Sequence, residues 1–72
     1  MSTYINPPRL KPTADDIKDA RRKAGITQTV AANLLHTTCR VWQQWEAGDR
    51  KMHPAFYDLF LRRSKELKIG EV

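Results

Sequence analysis

The chain has 72 residues, a formal net charge of +5 and a single cysteine. At this length one domain is expected, burying about 60% of the surface of the unfolded chain, which leaves a lean core and no room for a sizeable small-molecule pocket. No apolar run approaches the ~20 residues that cross a bilayer, the N-terminus lacks the order of a signal peptide, and one cysteine allows no internal disulfide, so a cytoplasmic protein is expected.

With 40% hydrophobic residues the chain reads as globular rather than disordered. A pI near 9.8 attracts polyanions, and nucleic acid is the first partner to consider. Charge alone fits a basic surface kept for solubility equally well, so the positions of the charges must decide.

Residues 1–12 carry Pro7, Pro8 and Pro12 with little apolar periodicity and read as an extended basic arm holding Arg9 and Lys11. Thr13 and Asp16 have capping-box spacing, and Ala14, Ile17, Ala20 and Ala24 predict a first helix that Gly25 ends. Asp15, Asp16 and Asp19 near its start and Arg21, Arg22 and Lys23 near its end suit the helix dipole. Thr27 is placed to cap a second helix, Gln28 to Leu35, whose inner side collects Ala31, Ala32, Leu34 and Leu35, with Val30 at the edge. Thr38 is placed to cap a third, from Cys39 to Ala47, with Trp42 and Trp45 on one face and Gly48 closing it. After the polar segment Asp49 to Met52, His53 reads as an N-cap with Pro54 at the first helical position of a fourth helix toward Leu67. Its inward face is expected to carry Phe56, Leu59, Phe60 and Leu67. The domain is thus placed at residues 13–68, with a tail at 69–72.

Two short helices, each opened by threonine and separated by about three residues, predict a helix-turn-helix. Such a unit presents the first turns of its second helix to the roughly 12 Å wide major groove. The series Gly25-Ile26-Thr27-Gln28, Ala32, Leu35, Thr38, Trp42, Trp45-Glu46-x-Gly48 and Arg50 resembles the Cro/CI (XRE) family over residues 13–54. Trp42-Gln43-Gln44-Trp45-Glu46 and Met52-His53-Pro54-Ala55-Phe56 are also similar to small phage and mobile-element autorepressors, including anti-CRISPR-associated regulators. The resemblance implies an all-α, four- to five-helix Cro/CI-like bundle.

By that resemblance Gln28 meets a phosphate and supports its neighbour in the groove, and Cys39, Arg40, Gln43 and Gln44 face the bases. Arginine can bridge guanine O6 and N7, and glutamine can pair with adenine, each good pair contributing about 1–3 kcal/mol of discrimination. Thr29, Thr38, Arg50 and Lys51 are the other expected phosphate contacts, which position without specifying. The chain departs from the family at His36, where a glycine in left-handed conformation is usual, at Cys39, a weak hydrogen bonder, and at Trp42, which is larger than the usual aliphatic residue. Ala20 and Ala31 are expected to make room for it.

Competing readings are local. Trp42 and Trp45 read as core rather than as stacking platforms for single strands. Glu46 has no catalytic partner in the sequence and reads as structural, bonding within the loop between the third and fourth helices. His36 and Cys39, with only His53 to join them, do not make a zinc site. No cofactor and no enzymatic reaction are expected. Arg62, Arg63, Lys65 and Lys68 read as a solvated face, and Tyr57 and Leu61, taken to lie off the core face, as a candidate dimer contact. The expected function is a homodimeric repressor that binds double-stranded operator DNA and blocks a promoter, with half-sites about 34–36 Å apart. The alternatives are an antitoxin of a toxin–antitoxin pair and a protein-binding helix-turn-helix module.

Overall fold

A computed structural model describes residues 11–70, with side chains described as far as residue 67. These residues form four helices, α1 (Ala14–Ala24), α2 (Gln28–Leu34), α3 (Cys39–Ala47) and α4 (Pro54–Gly70), and contain no strand. The chain is therefore the all-helical bundle expected from its periodicity. Most of the expected basic arm, including Arg9, lies outside the described residues, as do the last two positions of the expected tail.

The helix boundaries follow from local chemistry. The Thr13 hydroxyl accepts from the Asp16 N–H, and the Asp16 carboxylate accepts from the Thr13 N–H, both at 3.0 Å, completing the capping box. Thr27 and Thr38 each accept an N–H three residues on at 3.2 Å, from Val30 and Val41. At the start of α4 the His53 Nδ1 accepts the Ala55 N–H at 3.0 Å, and Pro54 takes the first helical position, where its missing N–H costs nothing. Gly25 and Gly48 close α1 and α3 with φ of 71° and 86°.

α2 ends one residue earlier than its apolar pattern suggested, because Leu35 serves as its cap. His36 follows with φ of 56°, a left-handed conformation uncommon for a residue other than glycine. That reversal sends the Thr37 N–H back to the Ala32 carbonyl at 3.0 Å, closing the end of α2. α4 is longer than expected, continuing past Leu67 to Gly70.

α2 packs on α3 and α4, and α1 packs on α3 and α4. The core gathers Ile17, Ala20, Ala31, Ala32, Leu35, Trp42, Trp45, Met52 and Phe60. Trp42 is fully enclosed, edge-on to Trp45 at 5.8 Å between ring centroids and 4.9 Å from Phe60. Ala20 and Ala31 share this buried cluster, as the large Trp42 side chain requires. Met52, which the sequence placed in a polar loop, is wholly buried and is a core residue.

The inward face of α4 is the expected one only in part: Phe60 is buried and Leu59 packs against the core as expected. Phe56 and Leu67 remain 46% and 37% exposed, whereas Tyr57 and Leu61 pack against the core on either side of Phe60, and Ser64 is buried one turn beyond. The stripe therefore runs 57, 60, 61, 64, a regular helical spacing that the polar Ser64 disguised. Phe56 lies at the edge, 6.0 Å from the Trp45 ring. Tyr57 and Leu61 thus lie partly buried against the core rather than off its face.

Because Trp42 touches both aromatic neighbours from the centre of a small core, Trp42→Ala is expected to cost about 3–5 kcal/mol. Urea unfolding followed by far-ultraviolet circular dichroism checks this, and a midpoint close to that of the wild type would contradict the assignment.

Candidate nucleic-acid interface

The inner side of α3 ends in a carboxylate rather than an apolar group. Glu46 lies one turn after Trp42 and is buried. A carboxylate taken out of water is costly unless its oxygens are paired. The Arg21 Nε donates to Oε2 at 2.6 Å and its Nη2 to Oε1 at 3.3 Å, a two-pronged pairing that suits guanidinium geometry. The Trp42 indole N–H also donates to Oε2, and the Gln28 Nε2 donates to Oε1 at 3.0 Å. The remaining prong of Arg21, Nη1, donates to the Ile26 carbonyl at 3.1 Å. Glu46 thus ties α1 and α2 to α3, rather than bonding within the following loop as its position in sequence suggested. Arg21 is correspondingly a structural partner and not a free charge at the end of α1.

Burial pushes the Glu46 carboxyl upward. The hydrogen bonds from Arg21, Trp42 and Gln28, with the guanidinium charge, outweigh it and leave the pKa below the usual value. The carboxylate is the form the fold is built around.

Gln28 passes this order outward. With its Nε2 held by Glu46, its Oε1 faces the Gln43 amide, which donates to it at 3.4 Å. Gln43 and Arg40 are exposed and Gln44 is half-buried, and the three share an open depression of about 290 Å³ with Ala47 and Asp49. Arg50 reaches back so that its Nε donates to the Gln44 Oε1 at 3.1 Å. Arg50 and the exposed Lys51 also line a second depression with Lys11 and Thr13.

Three of the four expected base-facing residues, Arg40, Gln43 and Gln44, are therefore gathered on one face of α3. Cys39 is half-buried, and its sulfur accepts the Thr29 hydroxyl at 3.5 Å, so each of these two residues has a partner within the molecule. Thr38 spends one lone pair on its cap and keeps its hydroxyl proton to donate. Gln28 sits half-buried beside the face, as a positioning residue should.

The residues that the reading of the sequence missed are Lys18 and Arg22 on α1. They line a depression of about 350 Å³ together with the paired Arg21 and Glu46 and with Gln28, Gln43 and Ala47, continuous with the face of α3. Their spacing of four places them on one side of α1, a signal that was masked by the good fit of the arginines to the helix dipole.

In the C-terminal half of α4, Arg63 is not part of a free basic face. Its guanidinium donates to the Leu34 carbonyl and so caps the end of α2 from across the bundle.

No family model matches the chain. The chain is similar to the type II methyltransferase M.MspI of Moraxella sp, at 36% identity over 50 residues that make up 69% of this chain and 12% of that protein. The chain thus spans about an eighth of the length of the relative it matches. No helix among the described residues is long and apolar enough to cross a membrane.

The lowered Glu46 pKa fixes a pH dependence. A carboxyl whose folded pKa is depressed adds stability that is complete above its unfolded pKa and is lost as pH falls through the folded value. The wild-type chain is expected to lose stability progressively below about pH 4.5, the ordinary value for the group. Glu46→Gln is expected to be less stable at neutral pH by about 3–5 kcal/mol, because it strands the Arg21 charge, and to lose less on acidification. Thermal midpoints of both proteins between neutral and acid pH check this, and parallel curves would contradict it.

Proposed function

We propose that the chain is a sequence-specific regulator that binds double-stranded DNA through the outer face of α3 and represses a promoter by occupying it. One observation carries this reading. Arg40, Gln43 and Gln44, three side chains suited to paired contacts with base edges, lie together on the open face of a short helix whose inner face is locked into the core. The net charge of +5 supplies the long-range attraction that precedes any such contact.

The residues divide into tasks. Arg40 reads guanine, and Gln43 and Gln44 read adenine or adjust to their neighbours. Gln28 holds Gln43, while Arg50 both steadies Gln44 and meets a phosphate. Lys51 and Thr38 meet the backbone as well, positioning without specifying. Cys39 and Thr29, bonded to each other, contribute little beyond contact with a thymine methyl. The chain acts as a homodimer on paired half-sites, in the cytoplasm, by occlusion and without a cofactor. The similarity to M.MspI covers too small a part of that protein for its reaction to be carried over, and we assign this chain no enzymatic activity.

Footprinting on the DNA upstream of the chain's own gene tests the proposal, with protection of a short segment expected. On that segment Arg40→Ala should lower affinity by about 1–3 kcal/mol and relax the base preference at one position. Arg50→Ala should weaken binding to all sequences alike and flatten the dependence of log affinity on log salt by about one unit. No protected segment, or an equal loss on every sequence from Arg40→Ala, would overturn the proposal.

A further inference from the structure

We propose that Lys18 and Arg22 of α1 form a second phosphate-binding site, which holds the DNA backbone on the flank of α3 away from Arg50. This rests on the regulator reading above and extends its footprint to a helix that the recognition unit itself does not include.

Arg21 lies between these two residues along α1. Its guanidinium is consumed by Glu46 and the Ile26 carbonyl, so the charge between the two neighbouring cations on α1 is neutralised internally. Lys18 and Arg22 have no ion pair among the described residues. Both line the same depression, beside Gln28, Gln43 and the Arg21–Glu46 pair, whose opposite charges offset each other and leave Lys18 and Arg22 as its net charge. Gln28 directs one amide hydrogen at Glu46 and has a second that no other described group takes. Two cations and a fixed neutral donor therefore converge on one open hollow.

A phosphodiester suits that set. Its two free oxygens accept a guanidinium side-on, an ammonium as a point charge, and an amide hydrogen. Position favours the DNA backbone over a free anion. The hollow meets the reading depression at Gln43 and Ala47, which line both, so a strand whose bases face Gln43 passes its phosphates over Lys18 and Arg22. Arg50 holds the other edge through Gln44. The two sites then grip the backbone on either side of the groove that α3 enters.

The test measures affinity for a short fluorescent duplex of arbitrary sequence between about 50 and 200 mM salt, where each neutralised phosphate adds about 0.9 to the slope of log affinity against log salt. Lys18→Ala combined with Arg22→Ala is expected to reduce the slope by about one, the share of the one phosphate the two side chains hold. Lys18→Arg with Arg22→Lys should keep it. Lys23→Ala with Lys65→Ala removes the same charge from a different hollow, lined by Ala20, Ala24, Leu61 and Ser64, and should also leave the slope unchanged. Unaltered helicity by circular dichroism separates lost contacts from lost folding. A wild-type slope in the Lys18 and Arg22 alanine variant, or an equal fall in the Lys23 and Lys65 variant, would overturn the second site while leaving the regulator reading intact. A wild-type chain that binds no duplex would overturn both.

Discussion

Four hydrogen bonds, from Arg21, Gln28 and Trp42, converge on the Glu46 carboxylate, and the mutual placement of α1, α2 and α3 depends on them. A buried carboxylate is stable only when its oxygens are satisfied. Its donors here come from three helices, so an arrangement that shifts any one of them leaves a charge or an indole N–H without a partner. A lean aliphatic core does not discriminate so sharply, since apolar contacts tolerate sliding. The strength of such a pair lies more in specifying one arrangement than in raw stability, because its desolvation cost offsets much of the attraction.

The same carboxylate orders the surface. Gln28 is fixed on one side by Glu46 and turns its carbonyl oxygen to Gln43 on the other, so a polar chain runs from the buried network to the exposed face of α3. The Trp42 and Trp45 rings occupy the opposite side of that helix and keep it from rotating. A reading helix needs both properties, since base edges are distinguished by hydrogen-bond direction and a loosely held side chain would lose that discrimination. Where Gln44 is concerned the brace comes from the other direction, through Arg50.

Much of this was legible from the chain itself. Every helix start could be read from Thr13, Thr27, Thr38 and the His53-Pro54 pair because capping is a local matter, decided within three residues. What escaped the sequence was long-range. Glu46 meets Arg21 across 25 positions, and nothing local to either residue announces the pairing. Met52 looked like part of a polar loop because its neighbours are charged, yet packing in three dimensions enclosed it. The face of α4 was misjudged in part, since Phe56 and Leu67 advertise an inward stripe more loudly than Tyr57, Leu61 and Ser64, which the bundle in fact covers. At the candidate interface the same limit held, for the side chains of α3 were identifiable from their type and position, whereas Lys18 and Arg22 join them only through the crossing of α1 over α3.

In the proposed function a rigidly held α3 reads base edges in a duplex. Selection of bound sequences from a random duplex library with the wild-type chain tests it most directly, because no target need be assumed. Enrichment of an inverted repeat with half-site centres about 10–10.5 base pairs apart and a guanine at a fixed position of each half is expected. A pool that binds but shows no enriched sequence would contradict it.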